Sequence, residues 1–224
     1  MAPASYRGAV HTPPDPDGRF AADRQAEEWD ARYTEGEGTM WSGRPNGRVV
    51  AEVQGLEPGR ALDVGCGEGA DAVWLASRGW TVTAIDVSAV AVGRARAAAD
   101  AAGVVVTWRT ADVLRSPLPA ASFDLVSLQY PALPKAAGEA GVRALLDTVA
   151  PGGVLLAVYH DLDAGHHEHH ADAGFDPADY VGADDLRRLL AGGYTVERDE
   201  VAPRLDPPPD NPHIADVVLR ARRR

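Results

Sequence analysis

The sequence has little that would tie it to an oxidising compartment, a membrane or a polyanion. Cys66 is the only cysteine, so no intramolecular disulfide can form and no zinc site built on paired cysteines is available. A reducing setting is expected. No window approaches the roughly 18 uncharged apolar residues that a membrane helix needs, and the N-terminus lacks the basic start and apolar run of a secretory signal. The expectation is a cytoplasmic protein without a membrane partner. Positive charge is also short: 22 Lys and Arg stand against 33 Asp and Glu, a formal net charge of −11 at pH 7. Such a field repels phosphate backbones, so nucleic acid is not an expected partner. Arg220, Arg222, Arg223 and Arg224 form a short basic end that reads as a solvated terminus. No repeat or mid-chain linker divides the 224 residues, a length that suits one domain with a sizeable core.

Residues 1–25, with Pro3, Pro13, Pro14 and Pro16 among small polar residues, hold too little apolar content to pack alone and read as a flexible arm. Residues 26–47 read as a lid or cap. AEEWDARY (Ala26 to Tyr33) is helical in composition, with Trp29 and Tyr33 four apart, and the turn-rich GEGTMWSGRPN follows. From residue 48 to 224 a core domain is expected. Strands are predicted at Arg60–Val64, Thr81–Ile85, Val104–Trp108, Phe123–Leu128 and Val154–Tyr159, with helices at Ala70–Arg78, Ser88–Ala102 and Gly138–Val149. Near-continuous apolar strands alternating with helices predict a single α/β domain with a doubly wound, mostly parallel sheet. A helix at Ala183–Ala191 precedes strands at Tyr194–Val201 and Ile214–Arg220, which brings the expected sheet to seven strands. The loop joining the last two is too short to hold a crossover helix, so the last strand should run antiparallel.

The strongest local signal is ALDVGCGEGADAVWLASRG, in which a strand ending at Val64 meets Gly65, Gly67 and Gly69 and then a helix. Glycines permit positive φ and let a ligand approach bare backbone at the carboxyl edge of the sheet. Asp63 lies two residues before the first glycine, and Asp86 ends the next strand, where a carboxylate can accept from both hydroxyls of a ribose. Asp112 follows the third strand, within reach of an adenine amine. The spacing G-x-G-x-G-A departs from the G-x-G-x-x-G of nicotinamide dehydrogenases.

With these pieces the chain resembles the class I S-adenosylmethionine-dependent methyltransferase family, over roughly Arg48 to Arg220. The matching segments are LDVGCGEG, AID, TADV, FDLVSLQY and APGG followed by VLLAVYH. The resemblance implies a Rossmann-like fold, S-adenosylmethionine as cofactor and S-adenosylhomocysteine as product. By position it assigns cofactor binding to Asp63, Gly65, Gly67, Gly69, Asp86, Val87, Asp112, Val113 and Gln129. A looser resemblance, carried by WDARY, WSGRPN and DDLRRLLAGGYTVERDEV, is to the small-molecule branch with tellurite-resistance and thiopurine-type enzymes. It implies a small-molecule methyl acceptor and makes Trp29, Tyr33, Trp41, Arg44 and Asn46 lid candidates, Trp41 also touching the cofactor.

In-line transfer from a sulfonium gains much from holding the acceptor close and excluding water, so a dedicated base is optional. His160, at the carboxyl end of the fifth strand, is the candidate catalytic base, with Tyr130 as a second polar group. The run His166, His167, Glu168, His169, His170 matches neither H-E-x-x-H nor H-x-x-E-H and reads as a solvated loop or substrate lid, so no metal is expected. A non-catalytic cofactor-binding module and an enzyme acting on protein are the alternatives the sequence leaves open; it does not fix the oligomeric state.

Overall fold

The computed structural model describes residues 19–35, 38–161, 176–205, 207 and 214–224, with 19–23 as backbone alone. Residues 1–18 of the expected arm and the His166–His170 run lie outside the described residues. The elements in chain order are α1 (Arg19–Thr34), α2 (Gly47–Val53), β1 (Arg60–Val64), α3 (Ala70–Ser77), β2 (Thr81–Asp86), α4 (Ala89–Ala102) and β3 (Thr107–Thr110). They continue with β4 (Phe123–Gln129), α5 (Glu139–Leu146), β5 (Val149–His160), α6 (Ala183–Leu190), β6 (Tyr194–Pro203) and β7 (Ala215–Arg223). The seven strands lie in the order β3-β2-β1-β4-β5-β7-β6. β1 to β5 pair in parallel, and β7 runs antiparallel to both β5 and β6. The winding reverses between β1 and β4, so the loops leaving these strands part and open a crevice at the carboxyl edge.

Burial on both faces explains why the strands are apolar without strict alternation. In β1, Leu62 and Val64 join a layer with Val142, Leu145 and Leu146 of α5 and Leu186, Leu189 and Leu190 of α6. Ala61, the residue before Leu62, faces the opposite layer of Val49 and Val53 of α2 with Ala72 and Leu75 of α3. Ser88 caps α4 as its position suggests, its Oγ accepting from the Ala91 amide at 3.0 Å.

Four local expectations need correction. β3 begins at Thr107, not Val104: the Val104 amide closes back onto the Ala99 carbonyl at the end of α4, and Val105 is 89% exposed. The helix expected through Val149 ends at Leu146, because Val149 already pairs with Phe123 and β5 runs through the PGG segment with a register shift. α2 has no counterpart in the sequence reading; the Asn46 side chain caps it by accepting from the Arg48 amide at 2.9 Å. The basic end is not a solvated terminus. Arg220 and Arg222 both pair with Glu197, and the Arg223 guanidinium donates to the Asp147 and Val149 carbonyls, so these arginines latch β7 to its neighbours.

Candidate functional site

The crevice is a cleft of about 840 Å³. Every site residue expected from the sequence lines it: Asp63, Gly65, Gly67 and Gly69 after β1, Asp86 and Val87 after β2, and Asp112 and Val113 after β3. Gln129 and Tyr130 after β4, His160 at the end of β5, and Trp29, Tyr33, Trp41, Arg44 and Asn46 from the N-terminal segments complete that set.

The glycines of the loop serve different purposes. Gly65 has φ +68°, and a Cβ there would meet nothing within 4 Å, so bare backbone faces open space. At Gly69, φ +85°, a Cβ would sit 2.7 Å from both Ala95 Cβ and Trp108 Cη2, so this glycine lets α3 and α4 close on the sheet.

Carboxylates concentrate at the same end. Asp86 is buried and holds the loop: Oδ2 accepts from the Gly67 amide at 2.8 Å and Oδ1 from the Ser88 amide at 2.9 Å. Burial raises its carboxyl above the ordinary range, and these amides pull against that rise. Asp63 is 2% exposed, and its Oδ2 has no hydrogen-bond partner among the described residues. Burial, with Asp71 and Asp86 close by, pushes its carboxyl well up. Asp71 is pushed up to about 6, also by burial, against the Asn46 amide that donates to it at 2.6 Å. An acid pit with an unsatisfied buried oxygen complements a cation such as the ammonium of a methionyl group. Bare backbone at Gly65 and a carboxylate at the tip of β2 fit the remainder of an adenosyl cofactor. Asp112 is less free, since Oδ1 accepts from the Leu114 amide and Oδ2 pairs with Arg115 at 2.5 Å.

α1 crosses the mouth of the cleft. At one end the Gln25 side chain donates to the Ala132 carbonyl at 2.7 Å; at the other the Tyr33 hydroxyl lies against Gly67 and accepts from Trp41 Nε1 at 3.1 Å. Asp30 accepts from Ser88 Oγ and the Val90 amide, which fixes α1 on the start of α4. The segment after α1 is held by Glu68, whose carboxylate accepts from the Met40 and Trp41 amides at 3.1 Å and pairs with Arg94 at 2.8 Å.

The other half of the cleft is built around Tyr130. Its φ of +50° is costly for a bulky residue and sets the ring where three groups hold it. The hydroxyl donates to Asp216 Oδ1 at 2.9 Å, His160 stacks on the ring at 4.1 Å and 17°, and the Arg204 guanidinium lies over the ring at 4.9 Å. Burial and the Asp216 charge raise the phenol above its ordinary value, so Tyr130 stays protonated at neutral pH and is not itself a base. Glu68, Asp71, Arg204 and Asp216 are further residues of this neighbourhood that carry no distinguishing signal in the sequence; only their positions in the fold single them out. Among the described residues no group of His, Cys, Asp or Glu could hold a metal ion, and no helix is long and apolar enough to cross a membrane.

A doubly wound sheet with a switch-point cleft, a glycine turn and acids at successive strand tips defines a binder of an adenosyl cofactor. Comparison with known proteins makes the class specific. Residues 61–153 match the methyltransferase domain family. A protein of known structure, solved for the conversion of a disulfide bond into a thioacetal group during echinomycin biosynthesis, is 30% identical with a TM-score of 0.71, covering 89% of this chain and 92% of that one. The 2-heptyl-1-hydroxyquinolin-4(1H)-one methyltransferase of Mycobacteroides abscessus is 27% identical over 73% of this chain and 70% of its own length. The magnesium protoporphyrin IX methyltransferase of Synechocystis, solved with S-adenosylhomocysteine bound, shares the fold at 20% identity, TM-score 0.63, over 93% of this chain and all of that one. Two other curated relatives, both named for RNA methylation, are matched over only 11% and 44% of their length. The chain belongs to the class I S-adenosylmethionine-dependent methyltransferase family, and S-adenosylmethionine is its cofactor.

Proposed function

We propose that the protein transfers the methyl group of S-adenosylmethionine in line to a small-molecule acceptor, inside a cleft closed by residues 26–47 over a core of residues 48–224. The observation that carries this reading is the division of one cleft into two halves of different character. Its β1–β2 side offers bare backbone and the Asp63–Asp71–Asp86 pit, and its β4–β5 side offers Tyr130, His160 and the underside of α1. The bound cofactor supplies a methyl carbon on a positively charged sulfur; the acceptor's lone pair forms the new bond and the broken C–S pair stays on sulfur, giving neutral S-adenosylhomocysteine.

The residues of the chain then have separable tasks. Asp86 accepts from the ribose, its oxygens keeping lone pairs beyond those the Gly67 and Ser88 amides use. Asp63 faces the ammonium, Asp112 and Val113 meet the adenine, and Gln129, whose Oε1 has no partner among the described residues, meets the methionyl end. Tyr33, Trp41 and α1 exclude water, which strengthens every electrostatic contact inside. His160 takes a proton from an acceptor that needs to lose one. Two features support a small acceptor in place of a polymer: α1 roofs the cleft, and the overall charge is strongly negative. The charge also disfavours nucleic acid, and a cytoplasmic location is part of the same proposal.

Titration calorimetry with S-adenosylhomocysteine tests the cofactor assignment. Asp86→Ala is expected to weaken binding by about 1.5–3 kcal/mol, the worth of charge-assisted hydrogen bonds. Unchanged affinity removes Asp86 from the ribose. A methylated product, detected after incubation with small-molecule extracts, separates turnover from mere binding.

A further inference from the structure

The cofactor's methionyl group carries a carboxylate beside its ammonium, and the end of the cleft that suits the ammonium repels that second charge. Asp63, Asp71 and Asp86 gather there, and the amides of the glycine loop are already engaged. Gly65 and Cys66 donate to the Ile85 carbonyl, Gly67 to Asp86, and Gly69 to the Cys66 carbonyl. A cation from elsewhere has to meet the ligand's carboxylate. Among the described residues the arginines lining the cleft are Arg32, Arg44 and Arg204. Arg32 stands over the Trp29 ring at 5.0 Å and Arg204 over the Tyr130 ring at 4.9 Å. Arg44 is exposed, and its guanidinium has no hydrogen-bond, ion-pair or ring partner among the described residues.

The chain on both sides of Arg44 is fastened to the glycine-loop end. Before it, the Trp41 amide donates to Glu68 at 3.1 Å, and Trp41 Nε1 would lie 3.6 Å from a Cβ on Gly67. After it, the Asn46 amide donates to Asp71 at 2.6 Å. Between these anchors the segment turns on itself, the Ser42 hydroxyl accepting from the Arg44 amide at 3.2 Å. Arg44 is thereby carried over the same end of the cleft as the acid pit. We propose that Arg44 selects the zwitterionic methionyl end of the cofactor: its guanidinium pairs with the ligand's carboxylate while the acid pit faces the ammonium. A planar fork on a carboxylate gives two parallel charge-assisted hydrogen bonds, so the site matches both charges of the ligand. The pairing rests on the seat proposed above for the ammonium and extends it to the neighbouring group. It also gives residues 38–46 a bond to the ligand in addition to those they make with Glu68 and Asp71, so cofactor binding holds that segment down.

Calorimetry with S-adenosylhomocysteine and its decarboxylated analogue, which keeps the ammonium, reads this pairing without any methyl acceptor. The wild-type protein is expected to bind S-adenosylhomocysteine at least about tenfold more tightly than the decarboxylated analogue. Arg44→Gln should weaken S-adenosylhomocysteine about tenfold and leave the decarboxylated analogue unchanged, which removes the preference and shows on the same sample that the variant is folded. Arg44→Lys should restore part of the preference, since the charge returns without the fork. The desamino analogue, which keeps the carboxylate, should be weakened by Arg44→Gln as S-adenosylhomocysteine is. Arg32→Gln should keep the preference. Equal binding of the first two ligands by the wild-type protein, equal weakening of both by Arg44→Gln, or loss of the preference in Arg32→Gln overturns the assignment to Arg44 and leaves the methyltransferase reading standing. Failure of the wild-type protein to bind S-adenosylhomocysteine at all overturns both.

Discussion

Gly65 and Gly69 share positive φ, +68° and +85°, but the space around them differs: open at the first, filled by Ala95 and Trp108 at the second. The same substitution should therefore report different physics. Gly65→Ala pays mainly for a left-handed backbone, about 1–2 kcal/mol, and puts a methyl where the cofactor must approach. Gly69→Ala adds overpacking of about 1–3 kcal/mol to a comparable backbone cost. Urea denaturation alongside calorimetry with S-adenosylhomocysteine should show Gly69→Ala as the less stable variant and Gly65→Ala as the poorer binder relative to its stability. The reverse order would mean that the loop's bare face is turned away from the ligand. Tyr130→Phe is a second residue-scale case. It keeps the ring on His160 but leaves the buried Asp216 without its 2.9 Å donor, so a stability loss of about 1–3 kcal/mol is expected in the same denaturation experiment.

Between elements, Glu68 is the joint to test. Its one carboxylate receives the Met40 and Trp41 amides and the Arg94 guanidinium, and Arg94 in turn donates to the Tyr33 carbonyl at 2.6 Å. Glu68→Ala should leave the sheet intact, free the segment from residue 38 to 46 from the glycine loop, and speed cofactor dissociation. Hydrogen exchange should rise at the Met40 and Trp41 amides well before it rises in β1 or β4; uniform exchange across all of them would show that Glu68 holds the core and not the lid. Glu68 also marks where sequence legibility ends. The glycine turn, Asp63 and Asp86 stand out because their roles depend on spacing to the nearest strand, a local quantity. Glu68 joins residues 26 to 28 positions apart, and Asp216 meets Tyr130 across 86, distances at which sequence pattern carries no register. α2 escaped for a related reason: seven residues give too little periodicity, and Val49 and Val53 declare themselves only by being buried against the sheet. β3 was misplaced because Val104 to Val106 has strand composition but is spent closing the end of α4.

For the whole molecule, the proposed seat of the cofactor's ammonium beside the acid pit would couple cofactor binding to pH. Asp63 and Asp71 both hold their protons more tightly in the folded chain than in the unfolded one, Asp71 up to about 6, chiefly through burial. Through Asp71 the folded state thus binds more protons than the unfolded state from the ordinary carboxyl range up to about pH 6, so this group makes the ligand-free protein less stable as pH rises through that window, and Asp63 acts in the same direction. In the proposed binding mode the cofactor's ammonium reverses the preference. It stays charged throughout the window, favours the ionised carboxylates, and lowers their proton affinity when it binds. Affinity for S-adenosylhomocysteine should therefore increase as pH rises from about 5 to about 7 as Asp71 ionises. Calorimetry across that range gives the slope directly, and Asp71→Asn should flatten it, because the amide oxygen can still accept from the Asn46 amide while the titrating proton is gone. A wild-type affinity that does not vary between those limits would mean that the ammonium lies away from Asp63 and Asp71, and the cofactor would then have to enter the cleft in the opposite sense.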